Sequence, residues 1–180
     1  MMNQQTSKMR KSRLARLLPA AQVFGILAAI VAGGSVLRLT QHASGSQQSQ
    51  DATLAECLRY LRTQICMYSL EHQNTSPGFP GNDFSQAADA RVFIEQMTQY
   101  TDVYGRPSMQ KSETRNKGPY LIGMPANPMT LRNGVMIVTG TELPRVDDSK
   151  AIGWFYNPVT RQIWANLGGA DSQGVSYASY

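Results

Sequence analysis

The chain is poor in the residues that carry out chemistry. Its 180 residues include two histidines, His42 and His72, and two cysteines, Cys57 and Cys66. Neither histidine stands in a His-Glu-x-x-His setting, no Cys-x-x-Cys occurs, and no acid and nucleophile are spaced as a triad. The Gly-x-Ser-x-Gly elbow, the phosphate loop and the dinucleotide fingerprint are absent as well. An enzyme would have to be assembled from scattered carboxylates such as Glu56, Glu71 and Asp89, which are helix-surface residues by default. The expectation is a protein that is not an enzyme, has no small-molecule substrate and has no assignable catalytic, cofactor-binding or metal residue.

The two cysteines say nothing about the redox compartment. Nine residues apart on one helix, they point to opposite sides and lie roughly 13 Å apart along the axis, too far to bridge. Both read as small buried apolar side chains.

Acidic residues are also scarce, with 12 Asp and Glu against 17 Lys and Arg and a net charge of +5. Lys8, Arg10, Lys11, Arg13 and Arg16 account for the whole excess. The remainder is balanced, so no basic nucleic-acid-binding surface is expected. Those five cations stand directly before a charge-free stretch from Leu17 to Leu37, about the 20 residues that a membrane-crossing helix needs. Because Lys and Arg stay on the cytoplasmic side, the reading is a single-pass protein with its N-terminus inside and its C-terminal part outside. Pro19, Gln22 and the Gly33-Gly34 pair dilute the span. Ala32-Gly33-Gly34 and Ala43-Ser44-Gly45 would serve signal peptidase, so a cleaved signal peptide is the alternative to an anchor. Within the span, Gly25, Ala28, Ala29, Ala32 and Gly33 offer small residues at three- and four-residue spacing where a second helix could approach closely; a plain monomeric anchor is the equal alternative.

From Thr40 to Gln50 the text "TQHASGSQQSQ" is a polar linker or a weak, solvated helix. Asp51 then opens a helical pattern in which Leu54, Cys57, Leu58, Leu61, Ile65 and Tyr68 form one apolar stripe. Pro77 and Gly78 end it, and His72 is expected to satisfy a terminal carbonyl there or to sit against the loop. Asp83 or Ser85 is expected to cap a second, shorter helix with a stripe of Ala90, Phe93, Ile94 and Met97, followed by a long loop to Lys117. "GVMIVTG" (134 to 140) reads as a strand and "IGWFYNPVTRQIWANL" (152 to 167) as a hairpin. With Asn157 facing Thr160, Trp154 stands opposite Ile163 and Ile152 opposite Ala165, with Phe155 and Trp164 on the other face. Tyr120, Trp154, Tyr156 and Trp164 are expected in the core rather than in a binding surface.

The predicted fold is α+β: an N-terminal transmembrane helix, then an amphipathic helix packed on a small antiparallel sheet. The predicted segments are a basic cytoplasmic stretch (1–16), the anchor (17–39), the polar linker (40–50), the α+β domain (51–167) and an irregular Gly- and Ser-rich tail (168–180).

An apolar "GILAAIV" (25–31), then "LRTQICMYSLEH" (61–72), "FIEQMTQYTD" (93–102), "KGPYLIGMPANPMT" (117–130) and "YNPVTRQIWANL" (156–167) together resemble the type IV pilin-like superfamily, most of all the major pseudopilins of type II secretion. The family is normally marked by Gly-Phe-Thr-Leu-Ile-Glu, cut after the glycine by a prepilin peptidase that also methylates the new amine. Counting back from Gly25 places Lys11 at the glycine, Ser12 at the phenylalanine and Arg16 at the glutamate, so the processing motif is lost. In family filaments the glutamate balances a neighbouring subunit's N-terminal amine, and losing one partner of a buried pair costs about 3 to 5 kcal/mol. Gly33 also stands where the family has proline, and Arg161 follows the hairpin turn where glycine is common. Family members often carry calcium in a loop near the C-terminal end. Asp147-Asp148-Ser149 and Asp171-Ser172 offer oxygens, but adjacent carboxylates on a loop are ordinarily just solvated, and no metal residue is assigned.

The resemblance implies an atypical pseudopilin-like structural or accessory component of a type II secretion or type IV pilus-like system in the bacterial inner membrane, with other pseudopilins or secretion components as partners. The alternative is an anchored or exported envelope binding module that keeps the pilin-like fold without assembling into filaments.

Overall fold

Helical periodicity carries much of the architecture. The structure, a computed structural model, describes residues 24–140, 142, 145–146 and 151–180, with side chains from residue 45 onward. The chain divides into two units, Met1–Gln41 and His42–Tyr180. Among the described residues no helix is long and apolar enough to cross a membrane; residues 17–23 of the expected span lie outside them.

Helix α1 is Phe24–Glu71. Residues 45–50 within it are exposed, so the polar stretch takes the solvated-helix alternative rather than forming an open linker. From residue 51 one face turns inward: Leu54, Leu58, Leu61, Ile65 and Tyr68 are each at most 1% exposed, at the spacing that places them on one side of a 3.6-residue period. Cys57 is half-buried beside them, whereas Cys66 is exposed, against expectation. It follows Ile65 directly and so turns away from the stripe. The helix closes as Gln73 and Asn74 take left-handed φ of 55° and 64°, and the Asn74 amide reaches back to the Ser69 carbonyl at 2.8 Å.

Helix α2, Ala90–Thr98, is capped by Asp89, not by Asp83 or Ser85. The Asp89 carboxylate accepts the amides of Arg91 and Val92 at 2.8 and 3.0 Å. Its own amide donates to the Gly78 carbonyl at 2.9 Å, which fixes the extended geometry an N-cap requires. Asp83 instead accepts the Ser85 amide at 2.9 Å and steadies the loop. On the inner face Phe93 and Met97 are fully buried, and so is Gln96. Gln96 accepts the Gly78 amide at 2.6 Å and donates to the Phe79 and Gly105 carbonyls at 3.0 and 2.9 Å.

The stretch expected as a long loop contains a two-stranded antiparallel pair, β1 (Tyr100–Thr101) and β2 (Pro107–Ser108). The larger sheet has the order β3 (Gly134–Ile137), β4 (Ile152–Asn157), β5 (Gln162–Ala165). It is mixed rather than antiparallel, because β3 runs parallel to β4 while β4 and β5 form the hairpin. A tight turn cannot join parallel strands, and the connection from Ile137 back to Ile152 makes the crossover. Gly153 is required at the β4 end: a Cβ there would lie 2.0 Å from the Arg132 carbonyl oxygen.

The hairpin register differs by two residues from the expected one, with Trp154 opposite Ala165, Tyr156 opposite Ile163 and Asn157 opposite Gln162. Asn157 accepts the Val159 and Thr160 amides at 2.9 and 3.2 Å, and Arg161 takes a φ of 61°, so the loop holds four residues instead of two. A shift of two preserves the faces of a strand. Trp154, Tyr156, Ile163 and Ala165 therefore still pack into the same core cluster as Leu54, Leu58 and Leu61. Tyr120 joins that cluster, and Trp164 is half-buried on the opposite face with Phe155.

The tail, made largely of turns and bends, is docked on the domain. It turns at Gly169 and Gly174, closes in a 3-10 turn at Tyr177–Ser179, and buries Tyr177. The Tyr177 hydroxyl and the Ser172 amide donate to the two oxygens of Asp51 on α1 at 2.6 and 2.9 Å.

Candidate functional site

Two places on the domain have the character of a site: a buried polar cluster at the end of α1 and an apolar strip on that helix's outer face. The cluster is centred on His72, which is fully buried and stacks on Tyr68 with ring centroids 3.9 Å apart. Its Nδ1 lies 2.8 Å from the Tyr68 carbonyl and its Nε2 2.9 Å from Thr101 Oγ1. A carbonyl can only accept, so Nδ1 carries the proton and Nε2 accepts from the threonine hydroxyl. Burial, first of all, holds the imidazole below its ordinary range. Nearby, the Tyr120 hydroxyl donates to Glu71 at 2.5 Å, and the Tyr68 hydroxyl donates to Asn82 at 2.8 Å. Burial pushes both phenols upward, so they remain hydrogen-bond donors at neutral pH. The cluster is closed to solvent at His72, and the one hydroxyl beside the imidazole, that of Thr101, is itself fully buried. Its evident work is to hold the 100–121 segment against the end of the helix.

The second place is exposed. Tyr60, Met67 and Leu70 are 44, 43 and 70% exposed, and their spacing of seven and three places them on one side of α1, away from the buried stripe. Arg59, Arg62, Thr63, Cys66 and Met67 line a shallow open groove of about 410 Å³ there. Its cations are already engaged. Arg59 pairs with Glu56, and Arg62 donates to the carbonyls of Ile163 and Tyr180. What is left for a partner is apolar and sulfur-bearing surface, suited to packing rather than to ion recognition. Met109 and Ile122, 80 and 105% exposed, flank a second open groove between α2 and the start of β3.

The small residues Gly25, Ala28, Ala29, Ala32 and Gly33 all belong to the α1 backbone; their side chains lie outside the described residues. Lys11, Ser12 and Arg16, the positions of the lost processing motif, lie outside them too, as do Asp147, Asp148 and Ser149. For calcium, the residues that can be judged do not fit. Asp171 accepts the Gln173 and Val175 amides, both at 2.8 Å, and the Tyr180 hydroxyl at 2.5 Å. Asp51 is held by Tyr177 and Ser172. Among the described residues no three His, Cys, Asp or Glu side chains gather as a metal site.

The residues that sequence reasoning passed over are Tyr60, Met67 and Leu70 on the outer face and Thr101 beside His72. The first group carried a signal in its helical spacing, opposite the main stripe. Thr101 carried none, because its partner lies 29 residues away. No family model, curated protein or solved structure matches the chain.

Proposed function

We propose that the chain is an atypical, pseudopilin-like structural or accessory component of a type II secretion or type IV pilus-like system, acting by protein–protein packing and not by catalysis. The observation that carries this reading is the two-sided helix. One side of α1 anchors the whole core from Leu54 to Tyr68, while the other presents Tyr60, Met67 and Leu70 unpartnered among the described residues. A helix used in this way is a packing element. In this reading residues 17–39 anchor the chain in the bacterial inner membrane, the cations up to Arg16 remain in the cytoplasm, and the α+β domain lies in the periplasm. Other pseudopilins or secretion components are its partners, and neither nucleic acid nor a small-molecule substrate is. The α+β order of elements and the sequence resemblance support the assignment together.

A photo-crosslinking residue placed at Leu70 in native membranes tests it. The expected result is adducts with components of a secretion or pilus apparatus. Adducts only with unrelated envelope proteins would overturn it in favour of the second reading, an envelope binding module that does not assemble. That reading draws on one observation of its own, the cations Lys11 and Arg16 at the positions where processing and filament packing require glycine and glutamate.

A further inference from the structure

The hydroxyls around His72 form a chain that can reverse direction. At neutral pH the Thr101 hydroxyl donates to His72 Nε2 and the Tyr120 hydroxyl donates to Glu71. The Thr101 hydroxyl also lies beside that of Tyr120. When the imidazole gains a proton, Nε2 becomes a donor and Thr101 Oγ1 must accept. The threonine O–H then turns toward the Tyr120 oxygen, whose own proton already points to the Glu71 carboxylate. The chain thus connects a buried imidazolium to a surface anion, yet it leaves the cation in a site that excludes water.

The charged and titratable neighbours are divided. On α1 itself, Glu71 favours the cation and Tyr68 supplies its carbonyl. From β1 and the turn after it come Thr101 and the Asp102 main chain, with the Asp102 carboxylate held by Arg106 at 2.7 Å. From the segment that follows come Tyr120 and Lys117, and the lysine opposes the cation. Lys117 exchanges both main-chain hydrogen bonds with Thr101, at 3.0 and 3.2 Å, so the hydroxyl that His72 holds belongs to the backbone pair that fastens this segment.

We propose that the His72–Thr101–Tyr120–Glu71 chain is an acid-sensitive latch: a neutral imidazole holds residues 100–117 on the end of α1, and protonation of that imidazole lets them open while the helix–sheet core, Tyr120 included, stays closed. The sign follows from linkage. The closed latch binds a proton less readily than the open one, so closure is complete above the ordinary histidine value of about 6.5 and weakens as pH falls below it. Between pH 7.5 and 5.0 the opening equilibrium rises by up to about thirtyfold for such a group.

The test is amide hydrogen exchange of the full chain at those two pH values, corrected for intrinsic rates. A His42→Gln background leaves His72 as the one histidine to follow by NMR. The expected result is that protection of Thr101 and Lys117 falls as pH drops below about 6.5 while amides of Tyr120, β4 and β5 hold. Glu71→Gln, which removes the anion at the chain's end, deepens the loss, and His72→Gln, which cannot gain a proton, abolishes it. Protection of the segment unchanged between the two pH values would overturn the proposal. So would a loss that equals that of β4 and β5, or one that begins only below the pH range in which His72 titrates, and both of these can be read in wild type alone should His72→Gln fail to fold.

Discussion

Arg161 shows at the level of one residue how strain and contact are balanced. Its φ of 61° is a conformation that costs an L-residue roughly 1–2 kcal/mol. Against that, its guanidinium donates to Ser76 Oγ at 3.1 Å and to the Asn74 side-chain and main-chain oxygens at 2.8 and 2.6 Å, tying the hairpin loop to the end of α1. Arg161→Ala loses the bonds and keeps the strain, whereas Arg161→Gly loses the bonds and relieves it. The glycine variant is expected to be more stable than the alanine variant by about 1 kcal/mol in urea unfolding; equal stabilities would contradict the account. At Asp51 the Tyr177 hydroxyl, and after it the Ser172 amide, hold the carboxyl below its ordinary value of 3.8. A depressed carboxylate contributes stability that is complete above the unfolded value and is lost as pH falls through the folded one. The tail is therefore expected to detach in acid below about pH 4, read as loss of protection at the Ser172 amide, and Asp51→Asn is expected to weaken it at neutral pH already.

Among the elements, α2 offers the sharpest contrast. Asp89→Ala removes the acceptor of two amides and is expected to cost about 1 kcal/mol, while Asp83→Ala, which touches only loop groups, is expected to cost less; denaturant midpoints of the two variants decide. The stripe of α1 was legible in the sequence because a helix buries residues at a fixed local period, and Leu54, Leu58, Leu61, Ile65 and Tyr68 needed no knowledge of their partners. The faces of the hairpin were legible for the same reason, although the register was not, since that depends on Arg161 adopting a left-handed conformation that its side chain does not announce. The parallel pairing of β3 with β4 left no local trace, because no turn joins the two strands. The docking of the tail rests on Asp51 and Tyr177, 126 residues apart, a pairing that no spacing rule reveals. The His72 cluster was legible by half: the helix-end carbonyl was anticipated, and the Thr101 contact was not.

For the whole molecule, the two sides of α1 are expected to separate under mutation. Leu58→Ala, on the buried side, is expected to cost 2 to 5 kcal/mol or about that much of the domain's stability. Tyr60→Glu and Met67→Glu, on the outer side, are expected to leave stability within about 0.5 kcal/mol and to abolish crosslinks from a photo-crosslinking residue at position 70 to partner proteins; thermal melts and crosslinking of the same variants read both. In the proposed reading, folding and packing against a partner use different faces of one helix.

The claim that the chain is an anchored packing component depends most on what precedes the described residues. Mass spectrometry of the mature N-terminus, on protein isolated from its native membrane, tests it most directly. The account expects residues 17–39 to be retained, with the N-terminus uncleaved; a mature chain beginning near Gly34 or Gly45 would contradict it.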